Sequence, residues 1–104
     1  MAERITNVDF EEKVLGSDRA VLVEFYSDSC VPCKRMSPVL SQLEQEYPDT
    51  LKVYKVNTGY EQELVDKYEI QSTPTFIFFR GGGETSRIHG AVPKKELAAQ
   101  IEQA

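Results

Sequence analysis

The chain has 104 residues, 12 of them basic and 17 acidic, and a net charge of −5. That length suits one domain over residues 1–104, burying a core of its own without disulfide or metal staples. The acidic balance and the scatter of basic residues argue against a nucleic-acid partner, and no apolar run approaches the roughly eighteen residues that would span a bilayer.

Met1-Ala2-Glu3-Arg4 lacks the basic-then-apolar build of a signal peptide, so a cytoplasmic protein is expected. Ile5-Thr6 reads as a short edge strand, and Asp9 followed by Glu12 as a capping box for a helix ending near Gly16. Ala20 to Tyr26 is almost continuously apolar and β-branched, the mark of a central strand covered on both faces, with Glu24 as its exception. From about Pro32 to Tyr47, the residues Met36, Val39, Leu40, Leu43 and Tyr47 recur at helical spacing, with Pro38 as an expected kink and Pro48 as a stop. Leu51 to Val56 reads as a second strand and Glu61 to Tyr68 as a helix, an order that implies parallel strands. Thr75 to Phe79, the triple glycine Gly81-Gly82-Gly83 and Glu84 to His89 read as a β-hairpin. Pro93 suits the first turn of a last helix that turns Leu97, Ala98 and Ile101 inward. Alternating strands and helices followed by a hairpin and helix predict an α/β sandwich around a mixed sheet.

Cys30-Val31-Pro32-Cys33 stands where the apolar strand gives way to the long helix. A thiol at a helix N-terminus meets unpaired backbone N–H groups and the positive end of the helix dipole, and both favour the reactive thiolate. Two intervening residues let the second sulfur return to the first around one helical turn, so a reversible dithiol/disulfide switch is expected. In a reducing compartment a close cysteine pair is catalytic or metal-binding rather than a permanent staple. Two cysteines and one histidine fall short of a four-ligand zinc set unless chains combine.

The order of elements, together with these motifs, resembles the thioredoxin family over nearly the whole chain. The family's Cys-Gly-Pro-Cys-Lys site appears as Cys30-Val31-Pro32-Cys33-Lys34, and its buried acid, commonly Asp, falls on Glu24. The basic partner of that acid falls on Lys55, the cis-proline loop on Ser72-Thr73-Pro74-Thr75, and the glycine flanking the substrate groove on Gly90. The resemblance implies a thioredoxin fold, a three-layer α/β/α sandwich around a central mixed sheet. It also implies a monomeric thiol–disulfide oxidoreductase without a bound cofactor, which reduces client disulfides and is recharged by an electron donor such as a thioredoxin reductase.

On that resemblance Cys30 is the exposed nucleophile and Cys33 the resolving thiol, while Pro32 restricts the loop at the helix start. A cis bond before Pro74 would offer the Thr73 backbone to an extended substrate as an added strand. Desolvation would raise the pKa of Glu24 and suit it to take the Cys33 proton; the plainer readings are a half-exposed strand residue or an ion pair with Lys55. Two departures bear on specificity: Ser29 stands where the family has tryptophan, and Val31 stands where it has glycine. His89 is expected to be a half-exposed strand residue, Phe76, Phe78 and Phe79 sheet core, and Lys34 and Arg35 solvated helix surface. A binding or scaffold module with incidental cysteines is the competing class of function, and a turnover assay separates the two.

Overall fold

A computed structural model describes residues 2–103. They form, in chain order, β1 (Glu3–Arg4), α1 (Asn7–Phe10) running into a π-helical turn (Glu11–Leu15), β2 (Ala20–Tyr26), α2 (Val31–Glu46), β3 (Leu51–Asn57), α3 (Gln62–Lys67), β4 (Thr75–Arg80), β5 (Gly83–His89) and α4 (Lys94–Gln103). The strands lie in the order β1-β3-β2-β4-β5. β3 runs parallel to both β1 and β2, whereas β4 is antiparallel to β2 and β5 is antiparallel to β4.

The run of apolar residues in β2 serves both faces of the sheet. Val21, Val23 and Phe25 point to one side, where they pack with Phe10 and Val14 of the first helical segment and Leu64 of α3. Leu22 points to the other with Phe76 and Phe78, meeting Met36, Leu40 and Leu43 of α2 and Leu97 and Ile101 of α4. Each fully buried Leu, Phe or Ile contributes about 1.5–3 kcal/mol through removal from water, so both helical layers are held mainly by the sheet they cover. The result is the expected thioredoxin fold, a three-layer α/β/α sandwich around a mixed sheet.

The ends of the elements differ from expectation. The first strand is Glu3–Arg4 rather than Ile5-Thr6, because pairing with Tyr54 and Lys55 of β3 sets its position; Ile5 follows it into the core, fully buried. The first helix begins at Asn7 rather than after Asp9, with Thr6 as its cap residue in extended conformation. The Thr6 hydroxyl donates to Asp9 Oδ2 at 3.3 Å and its carbonyl accepts the Asp9 N–H at 3.1 Å, with no side chain capping a helix N–H, so the capping box expected at Asp9 and Glu12 does not form. Pro93 precedes α4 rather than lying in its first turn, and its carbonyl accepts the Glu96 N–H at 3.0 Å. Pro38 lies within α2, which continues through it.

Candidate active site

Cys30 caps α2 with extended backbone angles, φ −81° and ψ 104°, and its sulfur accepts the Cys33 backbone N–H at 3.1 Å. The N-terminal N–H groups of a helix have no partner within it, so this contact turns one of them directly onto sulfur. Pro32, in the first turn, has no N–H to leave unpaired. Cys30 and Cys33 are joined as a disulfide, with Cα atoms 5.3 Å apart. Cys30 retains 8 % exposure and Cys33 4 %, so both are largely covered, Cys30 the less so. Val31, between them, is 59 % exposed, and Ser29 is exposed beside Cys30.

Glu24 lies on the α2 face of β2, opposite Lys55 on one side and Phe76 on the other. It is fully buried rather than half-exposed, and neither carboxylate oxygen has a hydrogen-bond partner. Burial pushes its pKa up to about 7, against the smaller opposing pull of the Lys55 charge. Lys55 does not close onto the carboxylate; its ammonium lies over the Tyr26 ring, 4.5 Å from the centroid. Lys55 and Cys33 line one small cavity of about 120 Å³, together with Asp28 and Lys34.

The third component is the loop before β4. The Thr73-Pro74 bond is cis, and the Pro74 carbonyl accepts the Gly90 N–H at 2.8 Å. Gly90 adopts φ +85°, a conformation that side chains with a Cβ rarely take. The Thr75 hydroxyl donates to the Ser72 carbonyl at 2.8 Å, and His89 Nδ1 lies 3.3 Å from the same hydroxyl. His89 itself is exposed. Antiparallel pairing of Phe25 with Thr75 brings this loop to the end of β2, where Ser27 and Thr73 line a shared cavity of about 320 Å³. Sheet pairing thereby carries the proline loop toward the segment that leads into the cysteines.

Residues absent from the sequence-based site also converge here. Asn57, the last residue of β3, is 1 % exposed and donates its amide to Asp28 Oδ1 at 3.0 Å. Thr58 donates through its backbone N–H and its hydroxyl to the Tyr26 carbonyl, at 2.8 and 3.1 Å. The signal in the sequence was slight: an Asn closing an apolar strand just before Thr58-Gly59. Among the described residues no three His, Cys, Asp or Glu side chains gather where they could hold a metal ion, and no helix is long and apolar enough to cross a membrane.

Two cysteines with two residues between them, joined as a disulfide at a helix N-terminus, are built for the exchange of two electrons through sulfur, and the molecule is a thiol–disulfide oxidoreductase. The family model Thioredoxin matches residues 2–103. The chain is similar to Thioredoxin 1 of Nostoc sp., 38% identical over 102 residues that cover 98% of this chain and 95% of the relative. It is 37% identical over 100 residues to Thioredoxin of Synechocystis sp., covering 96% of this chain and 94% of the relative. Thioredoxin M-type, chloroplastic, of Pisum sativum is 36% identical over 99 residues, covering 95% of this chain and 58% of the relative. The chain belongs to the thioredoxin family.

Proposed function

We propose that this chain acts as one thioredoxin domain over residues 1–104, a cytoplasmic monomer that reduces disulfides in client proteins. An electron donor of the thioredoxin reductase kind then restores its dithiol. The observation that carries this reading is the placement of the two sulfurs, Cys30 as the cap of α2 and Cys33 one turn inside it, with the Cys33 N–H on Cys30 Sγ.

In the reduced pair, the Cys30 thiolate attacks one sulfur of a client disulfide. A Cys30–client disulfide forms, and the second client sulfur leaves as a thiolate that takes a proton. Cys33 then gives its proton to Glu24 and attacks Cys30 Sγ, forming the Cys30–Cys33 bond and expelling the first client sulfur, which is protonated in turn. The client gains two electrons and two protons; the couple supplies both electrons and the Cys33 proton, by way of Glu24, and the second proton, shed when Cys30 ionised, comes through the solvent. The raised pKa of Glu24 suits it to hold a proton near neutral pH and release it again. Lys55 supplies positive charge on the cavity it shares with Cys33, which favours the departing thiolate. Pro32 restricts the turn between the sulfurs.

Client binding falls to the exposed rim. The half-buried Thr73 backbone beside cis-Pro74 suits an extended client segment adding as a strand, with Gly90 leaving the approach clear, since a Cβ there would have no atom within 4 Å. Exposed Ser29 and Val31 form the contact surface beside Cys30.

The two cysteines are separated by substitution. Cys30→Ser is expected to abolish disulfide reduction, whereas Cys33→Ser is expected to accumulate mixed disulfides with clients that an added dithiol releases. Normal turnover by Cys30→Ser, with nothing trapped by Cys33→Ser, would reverse the assignment.

A further inference from the structure

We infer that Asp28, clamped by the buried amide of Asn57, is a positioning residue that keeps the Cys30–Cys33 couple strongly reducing. The inference rests on the exchange reaction proposed above and concerns what sets its driving force.

Asp28 lies two residues before Cys30 on the segment between β2 and α2, and it lines the same cavity of about 120 Å³ as Cys33, Lys34 and Lys55. Reduction of the couple leaves Cys33 a thiol in this cavity and places negative charge on Cys30, the cap of α2 two residues beyond Asp28. The α2 N–H groups, Lys34 and Lys55 favour that charge, and a carboxylate held two residues before it opposes it. Because the disulfide is neutral, opposition falls on the reduced state alone. The couple is then readier to give up its electrons.

An exposed carboxylate free to swing would be screened by water and salt. Asp28 is exposed, but Asn57 holds it. The Asn57 amide nitrogen donates to Asp28 Oδ1 at 3.0 Å, and its amide oxygen accepts the Gly59 N–H at 2.9 Å. Both ends of the side chain are therefore engaged, and turning it away would leave a buried amide unsatisfied. Gly59 is part of the same fit, since a Cβ at that position would come within 3.2 Å of Asn57 Oδ1. The two Thr58 bonds to the Tyr26 carbonyl dock the whole loop against the end of β2. Asn57 thus fixes where the carboxylate stands relative to the sulfurs.

The test equilibrates wild type, Asp28→Asn, Asn57→Ala and the double variant against glutathione buffers and counts trapped thiols. Asp28→Asn keeps an acceptor for the Asn57 amide and removes only the charge. It is expected to shift the equilibrium toward the dithiol by about threefold to tenfold, a rise in potential of about 14 to 30 mV, since tenfold is about 30 mV for a two-electron couple. The pH profile of Cys30 alkylation should move to lower pH with it. Asn57→Ala is expected to shift the equilibrium in the same direction by releasing the carboxylate, and the double variant to go no further than Asp28→Asn. A change confined to thermal stability, with the Asp28→Asn equilibrium within 1.5-fold of wild type, would overturn the inference, and so would full additivity in the double variant. If Asn57→Ala does not fold, Asp28→Asn at its exposed position decides alone. Failure of the wild type to equilibrate at all would instead refute the underlying exchange reaction.

Discussion

Glu24 carries an energetic cost that its surroundings do not relieve. It is fully buried, without a hydrogen-bond partner for either oxygen, and burial outweighs the Lys55 charge in pushing its pKa up to about 7 from an ordinary 4.5. Between those two values the folded protein holds a proton that the unfolded chain has released. Stability therefore falls as pH rises through that window and levels off above it. At about 1.4 kcal/mol per pKa unit, the full effect is about 3 kcal/mol. Glu24→Gln removes the titration while keeping the size of the side chain. It is expected to exceed wild type in stability at pH 8 by up to about 3 kcal/mol, with the gap narrowing toward pH 5. Urea unfolding at both pH values checks this, and a gap independent of pH would refute it. The same variant should resolve mixed disulfides more slowly in single-turnover experiments, because an amide cannot take the Cys33 proton.

At the scale of elements, the first turn of α2 separates two properties that neighbouring residues control. Val31 lies inside the disulfide ring and is 59 % exposed, so Val31→Gly removes few packing contacts and chiefly changes the conformational freedom of the turn. Glycine loosens the open dithiol and the closed ring unequally, and the reduction potential should move; about 30 mV corresponds to 1.4 kcal/mol. Ser29 lies just outside the ring and is exposed, so Ser29→Trp adds aromatic contact area without altering the ring. It should mainly change rate constants with clients and with the reductase. Potentials measured against glutathione, together with stopped-flow rates for each variant, would show the separation. Proportional shifts of both quantities in both variants would mean that the positions act only through general packing of the turn.

Across the whole molecule, the sheet divides the apolar interior into two clusters that meet different helices. Ile77 belongs to the cluster under the first helical segment and α3, and Ile101 to the cluster under α2 and α4. Removing one methylene from either is expected to cost about 0.5–1.5 kcal/mol. Because the strand layer stands between them and they share no cluster, the double variant Ile77→Val and Ile101→Val should lose the sum within about 0.5 kcal/mol. Urea midpoints at constant slope would measure this. A coupling well beyond that margin would show that strain passes through the sheet from one helical layer to the other.

Much of this architecture is legible in the chain because it follows from local chemistry. The apolar run of β2, the helical period from Met36 to Leu43 and the placement of the cysteines at a strand-to-helix junction each depend on residues within a turn or two of one another. Glu24 is conspicuous for the same reason, as the one charge within an apolar strand. What the residue order alone leaves open is which distant groups meet. Asn57 and Asp28 are 29 positions apart, and parallel pairing of β2 with β3, which sets Tyr26 opposite Asn57, brings their segments side by side. The first strand is located by its partners Tyr54 and Lys55 rather than by its own composition. Lys55 could have paired with Glu24 as readily as with the Tyr26 ring, and the packed arrangement decides between them. Periodicity records which face a side chain turns inward. The partner it finds there depends on loop closure and on competition among all the polar groups that folding brings together.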